Sequence, residues 1–173
     1  MATSFKSFSQ NAKTNEYALK SAYLVQICKV TTWENEINRK NKTFKIYTIG
    51  THAKGVTIYT RKDTRIKNRS IEVIPINSIT EVKNLDLIDV LYIYDIPKSE
   101  LEEILKLVGD KNILIVSENE GFGELGVIIN FFINNNKVNF EINRNAELKS
   151  KIKLRSQLYK VSGSKIIDDE HNL

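Results

Sequence analysis

Few residues of this chain could do chemistry, and most lack the partners that a reactive site needs. Glycines at 121, 123 and 126 match the spacing G-x-G-x-x-G. That spacing binds a dinucleotide pyrophosphate only where a strand precedes the glycines and a helix follows them. Here the segment after Gly126 is predicted to be a strand. The motif is therefore interpreted as a crossover loop.

The histidines, the single cysteine and the paired carboxylates give no site either. A Ser-His or Cys-His arrangement would rest on His52 alone, because His171 lies in a predicted tail. Zinc needs three or four ligands at recognisable spacing, which this chain does not offer. Cys28 lies in an apolar segment typical of a buried thiol, and Glu102 and Glu103 are expected to face solvent. The sequence predicts a protein that is not an enzyme and holds no metal or cofactor.

Charge is distributed unevenly along the chain, whose net charge is +5. Residues 39–69 contain ten Lys or Arg and one acid, whereas residues 81–120 contain ten acids and four Lys. Residues 144–165 carry seven basic residues and one acid. The molecule is predicted to be electrically polarised. The basic segments could converge into a patch for an acidic protein, anionic lipid or nucleic acid, or could simply be a solvated surface.

Length and composition predict one domain, since 173 residues with 41% hydrophobic residues suffice for a single core. We expect residues 1–14 to be disordered or a signal-peptide remnant, residues 15–167 to form the domain, and residues 168–173 to be a tail. No stretch approaches the ~20 apolar residues of a membrane-spanning helix.

The hydrophobic pattern predicts an α/β fold, with a mostly parallel sheet flanked by helices and an antiparallel hairpin near the C-terminal third. A largely buried helix is expected over 15–32, and a second over 99–108, capped by Ser99 and ended by Gly109. Three asparagines at 134–136 favour a hairpin turn. The predicted strands are 44–49, 70–74, 90–94, 113–116, 127–133 and 137–142, and the segment 144–166 is predicted to be helical.

Several local strings resemble the YfiR/HmsC-like family over about residues 15–167. The N-terminal pieces are Ala22-Tyr23-Leu24 with Thr32-Trp33, Phe44-Lys45-Ile46 ending at Gly50, Asn68-Arg69 before Ile71-Glu72-Val73, and Ile113 to Ser117. The C-terminal pieces are Gly126 to Phe131, Val138 to Asn143, Ala146, and Ser156-Gln157-Leu158-Tyr159. Departures are Glu34, where the family usually has Pro, Lys151, where Gly is frequent, and the lack of a second cysteine for disulfide control.

The resemblance implies a non-enzymatic periplasmic protein that binds the extracytoplasmic part of a membrane signalling protein, such as a diguanylate cyclase or kinase, and represses it. We expect a basic face to meet an acidic partner domain, and a second copy of this chain is the other partner considered, as a homodimer. Trp33, the only tryptophan, could anchor a partner or cap the core. The residues assigned to partner binding are Trp33, Arg61, Lys62, Arg65 and Arg69.

Two other functions compete with this interpretation. A small-ligand sensor would have a cleft at the carboxyl ends of the parallel strands, near Gly50, Thr51 and Asp95. Nucleic-acid binding is suggested by the pI of about 9.2, but no recognised motif supports it, and no nucleic-acid partner is predicted.

Overall fold

The computed structural model describes residues 4–34, 42–50, 63–161 and 163–168, with side chains of the first helix described from residue 16. The helices are α1 (Ser4–Val30), α2 (Lys98–Val108) and α3 (Arg144–Lys149). The strands are β1 (Thr31–Trp33), β2 (Thr43–Ile49), β3 (Arg65–Ile66), β4 (Arg69–Ile76), β5 (Val90–Ile93), β6 (Leu114–Ser117), β7 (Ile129–Asn134), β8 (Lys137–Asn143), β9 (Ile152–Leu154) and β10 (Lys165–Ile167). Short 3-10 helices cover Ile79–Glu81, Leu85–Leu87 and Leu158–Lys160.

The main sheet of the described residues has eight strands in the order β10-β8-β7-β6-β5-β2-β4-β3. Neighbours are parallel except for the pairs β7 with β8 and β3 with β4, which are antiparallel. A separate antiparallel pair joins β1 to β9. The predicted α/β class is confirmed, and the sheet mixes parallel pairs with antiparallel pairs towards both edges.

The central strands bury both faces, which explains why their sequences are apolar throughout. Val90 and Tyr92 of β5 lie in one hydrophobic cluster with residues of α1. Leu91 and Ile93 lie in a second cluster with residues of α2. Successive side chains of a strand point to opposite faces. The two helices therefore cover opposite sides of the sheet in three layers.

Helix α2 lies where the sequence predicts it, but its start is built differently. Pro97 is the N-cap, no side chain caps the helix, and Ser99 lies inside the first turn. The predicted cap by Ser99 is therefore wrong by two positions. Proline suits this boundary because its fixed φ of about −65° starts a helix and it has no N–H to satisfy. Gly109 ends the helix and donates its N–H to the Leu105 carbonyl at 2.8 Å.

Helix α1 begins at Ser4, before the predicted start at residue 15. The interpretation of residues 1–14 as disordered or as a signal-peptide remnant stays a prediction. The helix buries one face and exposes the other, and Leu19 is 45% exposed. Its apolar composition had predicted that most of its surface would be buried. Its buried residues are Lys20, Ser21, Leu24, Val25, Ile27 and Cys28.

The C-terminal region differs most from the sequence-based expectation. A helix was predicted over 144–166, but α3 ends at Lys149 and two short strands follow. Buried Glu147 accepts a hydrogen bond from the Leu154 backbone N–H at 2.7 Å and another from the Tyr159 hydroxyl. These contacts hold the chain after α3 against the helix, so it extends along β1 instead of continuing as a helix. Between β7 and β8, Asn135 and Asn136 adopt positive φ in the turn.

Candidate functional site

A buried ion pair occupies the end of the sheet where β2 and β4 begin. Arg69 donates to both carboxylate oxygens of Asp89, with Nη2 to Oδ1 at 2.7 Å and Nη1 to Oδ2 at 3.1 Å. The backbone N–H of Lys45 donates to the same carboxylate at 2.8 Å. The guanidinium also lies 4.8 Å from the centre of the Phe44 ring. Asp89 therefore ties together the loop before β5, strand β2 and strand β4.

Trp33 belongs to this buried cluster. Its indole Nε1 donates to the Asp89 carbonyl at 3.0 Å, and its ring meets Phe44 edge-on with centroids 5.3 Å apart. Trp33 is 1% exposed and Arg69 is 8% exposed. Partner binding through these two side chains is not supported, because a partner could reach them only by opening the core. The alternative weighed for Trp33, a cap over the core, agrees with its position.

The other predicted binding residues are distributed differently. Arg65 is exposed on β3, whereas Arg61 and Lys62 lie outside the described residues. Arg65 faces Ser70 across the β3–β4 pair, and Ser70 donates its N–H to the Lys42 carbonyl. Lys42 and Lys67 are also exposed. These three cations, Lys42, Arg65 and Lys67, form what we call the basic rim.

At the opposite end of the sheet, Gly50 and Asp95 lie at the carboxyl ends of β2 and β5, as predicted, but their surroundings are tightly packed. Gly50 has φ +144°, and a Cβ there would lie 1.5 Å from the Tyr94 carbonyl oxygen. The Asp95 N–H donates to Asn119 Oδ1 at 2.8 Å. No space for a ligand exists between Gly50 and the backbone of Tyr94. Thr51, the third residue of the predicted cleft, lies outside the described residues.

Glu118, directly after β6, holds a buried network that sequence reasoning missed. Its carboxylate pairs with Lys20 of α1 and accepts a hydrogen bond from the Tyr92 hydroxyl at 3.1 Å. Glu16, one turn before Lys20, lies 2.5 Å from the same ammonium. Lys20 is 6% exposed. The sequence of α1 contains one indication of this network, namely that Glu16 and Lys20 lie four residues apart on a helix that is predicted to be buried.

Burial and these contacts change the pKa values of the network. Burial by itself lowers the pKa of the Lys20 ammonium, but the hydrogen bonds with Glu118 and Glu16 outweigh it, so the pKa is raised. Burial, together with the negative charge of Glu118, raises the pKa of Tyr92. Burial and a hydrogen bond with Tyr94 raise the pKa of Tyr17. At physiological pH, Lys20 therefore stays charged, and Tyr17 and Tyr92 stay neutral. Groups that do not change their protonation state suit a structural contact more than proton transfer.

Two further observations bear on the chemistry that the described residues could support. No three His, Cys, Asp or Glu side chains among them stand close enough together to hold a metal ion. The glycines at 121, 123 and 126 lie in a turn, which leads into β7 and not into a helix. The free amides of a helix N-terminus, which a pyrophosphate needs, are therefore not present at these glycines.

These features define an α/β domain with three layers, whose buried ion pairs serve packing and which has an exposed basic rim at one end of the sheet. Among the described helices, none combines the length and apolar character that crossing a bilayer requires. The family model described as YfiR/HmsC-like matches residues 17–163, and the chain belongs to this family. Membership indicates a periplasmic regulator in cyclic di-GMP signalling. No protein of curated function matches this chain significantly.

Proposed function

We propose that this protein is a non-enzymatic periplasmic regulator that binds the extracytoplasmic part of a membrane-bound diguanylate cyclase and represses it. Membership of the YfiR/HmsC-like family over residues 17–163 is the observation that carries this proposal. The two buried clusters, around Asp89 and around Glu118, support it further. Both consist of charged side chains paired with other side chains of the domain, which leaves the exterior to bind a partner.

The basic rim is the surface we assign to the partner. Lys42 directly precedes β2, Arg65 lies on β3 and Lys67 lies in the turn between β3 and β4, and all three side chains are exposed. Strands β2, β4 and β3 are consecutive in the sheet, where neighbouring strands lie about 4.8 Å apart. Their charges therefore act together on an approaching acidic domain, which increases the association rate and selects against basic surfaces. Arg61 and Lys62 precede β3 in the sequence and remain part of this proposal.

Repression requires unequal affinity for the two states of the cyclase. The regulator must bind the inactive arrangement more tightly than the active one. Changing the inactive fraction from about 1% to about 99% needs roughly 10⁴-fold tighter binding, or about 5.5 kcal/mol. A preorganised surface lowers the cost of binding to either state, so the difference must come from contacts that only the inactive arrangement of the cyclase completes.

Affinity capture from the native cell envelope tests the function. The full chain should retain a membrane diguanylate cyclase, and deletion of the protein should raise cellular cyclic di-GMP. Capture that repeatedly retrieves no cyclase, with cyclic di-GMP unchanged on deletion, would contradict the proposal.

A pair of charge-reversal variants tests the basic rim separately. R65E/K67E should bind the purified extracytoplasmic domain of the captured cyclase at least about tenfold more weakly, because two attractive charges become repulsive. The matched control K98E/K106E changes the same charge on exposed positions of α2 and should bind like the unmodified protein. If both variants bind normally, the basic rim is not the interface, although the function can still hold.

Sensing of a small ligand is the second candidate function. It is favoured by an acidic cavity at the opposite end of the sheet, which is lined by Glu118, Glu120, Glu124 and Glu141.

A further inference from the structure

A cavity of about 680 Å³ opens between the segment after β6 and the strands β7 and β8. Cavities of this size are typical of small-molecule sites. One lining side chain is cationic, Lys165. Four lining side chains are carboxylates: Glu118, Glu120, Glu124 and Glu141. The walls of the cavity therefore carry an excess of negative charge.

Asn130 lines this cavity and contains an unsatisfied polar atom. The residue is 2% exposed. Its Nδ2 donates to the Asn119 carbonyl and to Glu141 Oε1, both at 2.9 Å. Its Oδ1 is buried and has no donor within the described part of the chain. Buried polar side chains are nearly always hydrogen-bonded, so this oxygen calls for a donor that the described residues do not supply.

The side chains around Asn130 favour an organic cation over a metal ion. The described carboxylates do not come together in a group that could coordinate a metal. The Phe132 ring on the cavity wall already has a cation over it, the Lys165 ammonium at 4.7 Å from the ring centre. An ammonium group brings both a positive charge for the carboxylates and N–H donors for a neutral oxygen.

We propose that this cavity binds a small organic amine. The ammonium group donates to Asn130 Oδ1 and pairs with the Glu141 carboxylate, while Glu120 and Glu124 at the exposed rim attract the cation. Glu118 also lines the cavity and pairs with Lys20, so a bound amine lies next to the contact that holds α1 on the sheet. Binding would thus alter the contact between Lys20 of α1 and Glu118, a property that goes beyond the proposed regulation of a cyclase.

Isothermal titration calorimetry of the full chain with the diamine putrescine tests this site without any partner protein. Saturable binding of one equivalent is expected, weakening as salt is added, and the neutral diol of the same chain length should not bind. No heat of binding up to about 10 mM putrescine would overturn the proposal. Equal affinity for the diol, or for Ca²⁺, would overturn the assignment to an amine.

Variants locate the binding within the molecule. E120Q/E124Q should bind putrescine about five- to tenfold more weakly, since two rim charges are lost at exposed positions that the fold does not use. The control E102Q/E103Q removes two exposed carboxylates from α2 and should bind normally. N130A should bind at least about tenfold more weakly.

Folding of each variant is checked by the fluorescence of Trp33. Should N130A fail to fold, the comparison of E120Q/E124Q with E102Q/E103Q still decides. Equal losses in these two variants would show nonspecific attraction to surface charge and refute the site. Because these titrations contain no cyclase, their outcome is separable from that of the capture experiment.

Discussion

Replacing Asp89 by asparagine should destabilise the fold strongly. Asp89 is 1% exposed and accepts at least three hydrogen bonds through its carboxylate, two from Arg69 and one from the Lys45 N–H. Asparagine offers one oxygen and one NH₂ group, so at least one of these donors meets another donor. It also leaves the buried guanidinium without a counter-charge. Breaking a buried ion pair in this way costs about 3–5 kcal/mol.

That loss is large compared with the roughly 5–15 kcal/mol by which domains are stable. For a chain of this size it lowers Tm by about 6–20 °C. Urea denaturation monitored by Trp33 fluorescence measures it directly, because the indole donates to the Asp89 carbonyl and is the only tryptophan. The control D86N removes an exposed carboxylate and should change the free energy of unfolding by less than about 0.5 kcal/mol.

The double variant R69M/D89L separates charge from packing. It removes both charges, so its cost should fall to about 1–3 kcal/mol, the penalty for leaving the partly buried Lys45 N–H without an acceptor. A D89N variant that loses less than about 1 kcal/mol would refute the reasoning. The same holds for a double variant that is no more stable than D89N.

The remaining predictions concern the opposite end of the sheet and the cysteine. The free energy of unfolding should fall as pH rises above about 10. Folding raises the pKa of Tyr92 above 10.0 and that of Lys20 above 10.5. The folded state therefore retains protons that the unfolded chain releases in this pH range. Urea denaturation across pH 9–12 should show a shallower fall for Y92F, and an identical slope would contradict the assignment. G50A should lower the free energy of unfolding by at least about 2 kcal/mol more than G121A. Both glycines have positive φ, but only at Gly50 would a Cβ collide with the backbone. Equal losses in the two variants would contradict this expectation. Cys28 is fully buried, and burial raises the pKa of its thiol. A thiol reagent should therefore modify it only in denaturant. Rapid labelling of the native protein would instead show that the core opens.

The local pattern of residues determined the class of the fold. The apolar runs that became β5 and β6 and the helix between them predicted a parallel unit, because a strand that is apolar at every position must be covered on both faces. Pro97 and Gly109 predicted the ends of α2 to within a residue or two. Each residue marks a helix end through its own local backbone preference, which does not depend on the tertiary structure. The order of short strings sufficed to indicate the YfiR/HmsC-like family.

Long-range pairing decided which charged residues are exposed and which are buried. Arg69 lies in a basic stretch of sequence and was expected on a partner-binding surface, yet it pairs with Asp89 from the acidic stretch, twenty positions away. Lys20 and Glu118 meet across ninety-eight positions, and Asn130 joins Glu141 on the neighbouring strand. Composition reports how many charges a segment carries, but burial depends on which strand becomes central and which helix covers it. Those positions follow from the minimum of free energy of the whole chain, so only the tertiary structure separates an ion pair that stabilises the core from a charge that can meet a partner.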